Sequence, residues 1–372
     1  MTNDLHIITL NVPYPPDYGG MIDSFHRIRV LKNLGAGIHL HCFEYGREQS
    51  SELISLCKSV SYYKRNMSFG RQFSLKPFIV VSRTSPKLHS NLLNDDHPIL
   101  FDGLHTTDLL CHPDLSNRIK IVRVHNIEHE YYNSMSRQAG SLIRNIYFNI
   151  ESARLKRYES VLKNADMILT LSGHDQHYFG TVYGNAELIY PFHQYDVPEN
   201  KEGSGDYLLW HGDLSVKENS IVAEYLVEKI FPEIPCTCII AGKQPSGLLI
   251  RKAGKHSNIR IIANPSGPVM SELIRDAHIN ILIALSTHGM KLKLLNSLFA
   301  GRHCLVNSNL VFSTGLAKAC HVRDSAEDII RTAKQLMKQP FDAEMKTERS
   351  ALLEPFSNRF NGIRLMKLIF PV

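Results

Sequence analysis

The chain has 372 residues, 43% of them apolar and 21% charged, with a formal net charge of +6. That length exceeds one ordinary domain and suits two with ample cores, and the composition excludes a disordered or fibrous chain. No stretch approaches the roughly 20 apolar residues of a spanning helix. Met1-Thr-Asn-Asp-Leu-His lacks the basic flank and apolar core of a signal peptide, so a cytoplasmic protein is expected.

In chain order, Leu5 to Val12 reads as a buried strand, followed by a proline- and glycine-rich loop from Pro13 to Gly20. A helix comes next, with Ile22, Phe25, Ile28, Leu31 and Leu34 at helical spacing and Gly35 as its stop, then a strand from about Ile38 to Phe43. This is a βαβ opening. Between Glu52 and Asp95 there is no acidic residue, while Lys58, Lys64, Arg65, Arg71, Lys76, Arg83 and Lys87 stand among Tyr62, Tyr63, Phe69, Phe73 and Phe78. Such a mixture suits an anionic membrane surface, a polyanionic acceptor or nucleic acid, and equally a solvated basic face with its aromatics in the core. Further strands are expected at Ser59 to Tyr63, Pro98 to Phe101, Ile119 to Val124 and Met167 to Leu171, with helices at about Asn126 to Gln138 and Ser141 to Lys163. Alternating β and α segments imply a parallel sheet covered on both faces.

The second half repeats the pattern. Strands are expected at Tyr207 to Trp210, Thr237 to Ala241, Ile259 to Ile262, Ile279 to Leu285 and His303 to Asn307. Helices are expected at Val216 to Ile230, after Ala241, from about Val269, and within Gly289 to Gly301. Between the halves, residues 191–205 are rich in proline, glycine and charge and read as a linker. The expected domains are thus 1–190 and 206–354, with a final amphipathic helix in 355–372 packing back toward the first. The fold class is α/β: two Rossmann-like, doubly wound parallel-sheet domains facing a cleft. Seven cysteines, an odd number mostly in apolar runs, read as reduced thiols with no zinc pattern.

Gly289-Met-Lys-Leu-Lys-Leu-Leu-Asn-Ser-Leu-Phe-Ala-Gly301 is a glycine turn opening a helix after a parallel strand. Its free N–H groups and dipole, with Lys291 and Lys293, suit a nucleoside diphosphate, although an ordinary βα unit with an exposed basic helix has the same pattern. Other segments of note are Pro13 to Gly20, Val122-Arg-Val-His-Asn-Ile-Glu-His-Glu-Tyr-Tyr132, Leu208-Leu-Trp-His-Gly-Asp-Leu-Ser-Val-Lys217 and Ile239-Ile-Ala-Gly-Lys243. His125 and His129 stand at i, i+4, but no recognised metal signature surrounds them.

In their order and spacing these segments resemble the retaining GT-B glycosyltransferases of family four, group 1. The resemblance implies that Gly19 and Gly20 let backbone approach donor phosphates or acceptor, and that His125 lies against the transferred sugar. Gly212 and Lys217 would hold the diphosphate, though Asp213 stands where relatives carry an arginine. Gly242 would line the base and diphosphate pocket. His288 and Asn296 fall where relatives carry two glutamates, Asn296 still able to meet a ribose.

The implied activity is metal-independent, retaining hexosyl transfer from a nucleoside-diphosphate sugar to a glycan or lipid-linked acceptor, with no cofactor. His125, Lys217 and Lys293 are the expected catalytic residues. Gly19, Gly20, Gly212, Gly242, His288, Gly289, Met290, Lys291 and Asn296 are the expected donor contacts, with no metal ligand and no Asp-X-Asp in the chain. Cell-envelope glycan synthesis and peripheral contact with an anionic membrane are further expectations, with no nucleic-acid partner. A degenerate protein that binds nucleotide sugar without turnover, or a sugar-nucleotide 2-epimerase, are the alternatives.

Overall fold

The computed structural model describes residues 3–137, 140–287 and 291–371. The expected contacts His288, Gly289 and Met290 lie outside the described residues. The chain divides into two compact units, one reaching Phe192 and resuming at Asn358, the other running from His193 to Ser357.

Unit 1 holds seven parallel strands in the order β3-β2-β1-β4-β5-β6-β7. They are β1 (Asp4–Thr9), β2 (Gly37–Glu44), β3 (Ser59–Lys64), β4 (Ile99–Asp102), β5 (Lys120–Arg123), β6 (Met167–Thr170) and β7 (Ala186–Leu188). Alternate residues feed cores on opposite faces. Ile8, Phe101, Val122 and Ile168 join one, while Ile7, Leu40, Leu100, Ile121 and Leu169 join the other. β2 starts one residue before the expected Ile38. Its first residue, Gly37, lies so close to Asp4 that a Cβ there would fall 1.9 Å from Oδ1.

The helix Gly19–Asn33 buries Ile28 and Leu31 of its expected apolar stripe in the second core, with Phe25 and Leu34 packed against it, and buries a polar face as well. Phe25 and Ile22 are only half-buried, whereas Asp23, Ser24, His26 and Arg27 are buried. The second core also contains Leu365 and Ile369 of the helix Asn358–Ile369, each worth about 1.5–3 kcal/mol of burial. At Gly362 a Cβ would come within 2.5 Å of Val30 Cγ1, so glycine lets this helix close on Gly19–Asn33.

Unit 2 holds six parallel strands in the order β10-β9-β8-β11-β12-β13. They are β8 (Tyr207–His211), β9 (Thr237–Gly242), β10 (Ile259–Ala263), β11 (Ile279–Leu282), β12 (His303–Val306) and β13 (His321–Val322). Residues 193–205 lie along this unit. Asn200 donates to Leu298 O at 2.8 Å, and Gly203 bridges Phe341. The helix expected within Gly289 to Gly301 runs Leu292–Ala300. All seven cysteines are free.

Candidate functional site

In unit 1 the chain leaves β1 toward β2 and β3 and returns to β1's other side at β4, so the C-terminal ends of β1 and β4 part into a crevice. Parallel pairing sets Asp102, the last residue of β4, opposite Arg123, the last of β5. His125 follows on the same edge, its Nε2 lying 2.8 Å from Asp102 Oδ1. The first turns of Gly19–Asn33 complete the constellation: Ser24 donates to the other Asp102 oxygen, and Arg27 Nη2 stands 2.7 Å from it. Arg27 Nη1 donates to Asp23 at 2.7 Å, and Arg123 clamps Asp23 through Nε and Nη2, both at 2.8 Å.

Two buried carboxylates are thus balanced by two buried guanidiniums, and His125 hydrogen-bonds to one of those carboxylates. Burial by itself raises the Asp102 carboxyl, but Arg27 and then His125 hold it far below the carboxylate range. Burial likewise opposes a charged His125; the Asp102 charge and hydrogen bond outweigh it and raise the imidazole. The charged form of His125 is therefore favoured relative to a free imidazole.

Gly20 is the first-turn residue packed on this ring. A Cβ there would meet His125 Nδ1 and Cε1 at 3.6 Å, and Gly19 starts the same helix. Gly20 and His125, 105 positions apart in the chain, are thus brought together. His129 is not: its Nδ1 turns to Glu159 Oε2 at 3.1 Å, and the helix begins only at Glu128, so the two histidines do not share a helical face. Asp23, Asp102 and His125 place ligand atoms within 4.8 Å of one another, but Arg27 and Arg123 already occupy both carboxylates as cations. Glu128 is a residue that sequence reasoning missed. Burial pushes its carboxyl up to about 7, and it acts electrostatically on His125.

In unit 2 the strand order switches between β8 and β11, which parts their C-terminal ends in the same way. Lys291 caps the helix Leu292–Ala300, and Lys293 follows in its first turn with Nζ 5.6 Å from the Trp210 ring centre. Burial, then the charge of Lys291, brings the Lys293 ammonium down to about 8. One turn on, Asn296 Oδ1 is buried with no hydrogen-bond partner among the described residues. His211, at the end of β8, bonds Ser297 Oγ at 3.1 Å, and burial pushes it down to about 3, which keeps it neutral.

Gly212 and Gly242 touch. A Cβ at Gly242 would fall 1.9 Å from Gly212 O, so the first demand for glycine there is the neighbouring turn. Asp213 is committed to that turn, accepting from Ser215 N at 2.9 Å and Ser215 Oγ at 2.6 Å. Lys217 is exposed at the first residue of Lys217–Tyr225. Its neighbour Glu218, unremarked in the sequence, accepts from Leu285 N at 2.8 Å and Ser286 N at 3.2 Å. Glu218 thereby holds Leu285 and Ser286 beyond the end of β11, and its charge reaches both Lys291 and Lys293.

No protein-family model matches this chain. It is 24% identical over 325 residues to an uncharacterised 44.6 kDa protein in the cps region of Klebsiella pneumoniae, covering 78% of this chain and 79% of that one. Among solved structures it is similar to an α,α-trehalose-phosphate synthase (UDP-forming) from Burkholderia xenovorans in complex with glucose-6-phosphate, with a TM-score of 0.63, 9% identity and 99% of each chain covered. It is similar also to Anabaena HepE in complex with UDP and glucose, with a TM-score of 0.59, 10% identity, and 99% of this chain and 95% of that one covered. A glycosyltransferase from Rickettsia africae gives a TM-score of 0.61 at 11% identity, over 99% of this chain and 98% of that one. Two parallel-sheet α/β units matched over nearly their whole length define a protein of the GT-B fold.

Proposed function

We propose that this chain is a glycosyltransferase that takes a hexose from a nucleoside-diphosphate donor with retention, without a cofactor or divalent metal, and places it on a glycan or lipid-linked acceptor. The observation that carries this reading is the unit 2 switch point, where Lys291, Lys293 and the unpartnered Asn296 oxygen occupy one helix start. Lys293 and the helix N-terminus offset charge on the departing diphosphate, Lys217 adds to that field, and Asn296 accepts from a ribose hydroxyl. Gly212 and Gly242, with His288, Gly289 and Met290, would contact the donor. HepE, of the same fold, holds UDP and glucose, which supports a nucleotide-sugar donor.

His125 acts in unit 1. Because Asp102 favours its charged form, it donates to a sugar hydroxyl and adds positive potential, which fits departure of an anion with retention better than deprotonation of an acceptor. Gly19 and Gly20 leave the backbone open beside it.

Action at the inner face of a membrane, in cell-envelope polysaccharide synthesis, is supported by the exposed Phe69, Phe73 and Leu75, each more than two-thirds exposed within the basic interval. Among the described residues no helix is long and apolar enough to cross a membrane. The test is to incubate the purified protein with a panel of nucleotide sugars and acceptors and to measure nucleoside diphosphate release. Asn296, in a place where relatives carry a carboxylate, favours a second reading as a binder without turnover. Saturable nucleotide binding with no release for any pair would establish that reading instead.

A further inference from the structure

Two cations of the basic interval stand at the C-terminal edge of the unit 1 sheet, Arg83 buried and Arg65 half-buried. Arg65 follows β3, its Nε donating to Ser82 Oγ at 3.0 Å and its guanidinium lying 4.4 Å from the Tyr45 ring centre. Arg83 is 5% exposed and reaches beneath the end of β1, Nε donating to Leu10 O at 2.8 Å and Nη1 to Ile79 O at 2.7 Å. Neither makes an ion pair with a carboxylate among the described residues, and Arg83 Nη2 and both terminal amines of Arg65 donate to nothing there. The two guanidiniums repel each other, and burial with that repulsion lowers Arg83 to about 9. The groups facing them are Tyr18, Tyr45, Tyr132, Tyr147, His105 and Glu128, and Glu128 is itself held up to about 7.

Buried guanidiniums ordinarily carry a counter-anion, because an unpaired charge inside a protein is costly. Elsewhere in this unit the rule is obeyed, with Arg27 and Arg123 on Asp23 and Asp102. Here no carboxylate pairs with either guanidinium among the described residues, and the four tyrosines Tyr18, Tyr45, Tyr132 and Tyr147 surround them.

We infer that Arg65 and Arg83 form the seat of a phosphate-type anion carried by the acceptor, so that the acceptor is a phosphorylated sugar or a lipid-linked phosphate or diphosphate. The paired forks supply the charge and the bidentate donors such a group takes. This rests on the transferase reading for the word acceptor; the anion seat itself does not.

The test is calorimetric titration of the full chain with inorganic diphosphate in excess UDP, which fills the donor site. Wild type should bind diphosphate, and Arg65→Gln and Arg83→Gln should each weaken it by about tenfold or more. Arg83→Lys should retain part of the affinity, and melting curves check folding, since Arg83 also ties two carbonyls. No diphosphate binding in wild type, or unchanged affinity in folded Arg65→Gln, overturns the inference. Competition then distinguishes the sources. Displacement by glucose 6-phosphate points to a soluble sugar phosphate, and displacement by a short-chain polyprenyl phosphate in micelles points to a lipid carrier. Displacement by neither overturns the assignment. UDP binding on the same samples tests the donor reading separately: UDP bound without a diphosphate seat sinks this inference alone, and diphosphate bound without UDP sinks the donor reading alone.

Discussion

Replacing Asp102 by asparagine removes one charge from a buried set of two carboxylates and two guanidiniums while keeping its shape. Arg27 and Arg123 are left sharing Asp23, so the interior carries an uncompensated cation. Breaking such a pair costs about 3–5 kcal/mol. At roughly 2–4 °C per kcal/mol for a unit of this size, the melting temperature at pH 7 should fall by about 6–20 °C. The variant also has a pH signature. In the wild type the folded pKa of His125 is raised, so its stabilisation is complete below the unfolded value near 6.5 and is lost as pH rises through the folded value. Without Asp102 only the charge of Asp23 still opposes the burial of His125, so its pKa drops and this slope should flatten or reverse. Melting followed by circular dichroism from pH 6 to 9 measures both effects. Trp210, the single tryptophan, lies in unit 2 and should keep its native emission. A loss under about 1 kcal/mol, or an unchanged pH slope, would refute the charge balance drawn here.

Lys293→Met should leave stability at pH 7 equal or raise it by about 1–3 kcal/mol, because the buried ammonium is held to about 8, while weakening UDP binding at least about tenfold by calorimetry. In the wild type, UDP affinity should fall as pH rises through about 8, and in Lys293→Met that fall should be absent. Gly242→Ala sets a Cβ against Gly212 O and should cost about 1–3 kcal/mol, with a shift in emission because Gly212 packs on Trp210; a silent variant would show that the turn has room. Glu218→Gln loses charge at the acceptor of Leu285 N and Ser286 N, so UDP binding should weaken with little change in melting, whereas full affinity would free this residue of a positioning role.

The architecture was readable because strands buried on both faces announce themselves as apolar runs, and the alternation with helices leaves parallel pairing as the natural outcome. The unit 1 network was not. Asp102 closes a four-residue apolar strand and stands 23 positions from His125, and only the register of β4 on β5 sets the two side by side. Asp23 and Arg27 were hidden for another reason: the apolar stripe does enter the core through Ile28 and Leu31, and a periodicity that counts apolar residues treats a second, buried charged face as the solvent side. Gly242 was noticed for the correct property, the absence of a Cβ, but its nearest contact is backbone from the adjoining turn. The interval after Glu52 resisted composition altogether, since Arg83 and Tyr63 go inward while Phe69 and Phe73 stay out.

The helix Asn358–Ile369, drawn against Gly19–Asn33 through Gly362, has a consequence for the order in which the molecule is made. A nascent chain finishes the strands of unit 1 first yet cannot complete that unit's core, and unit 2 emerges whole before Leu365 and Ile369 arrive. During synthesis unit 1 waits for a helix made after unit 2. Cutting the chain at Phe192 therefore yields an open-faced fragment, and a soluble unit 1 calls for a graft that joins residues from Asn358 onward directly to its end.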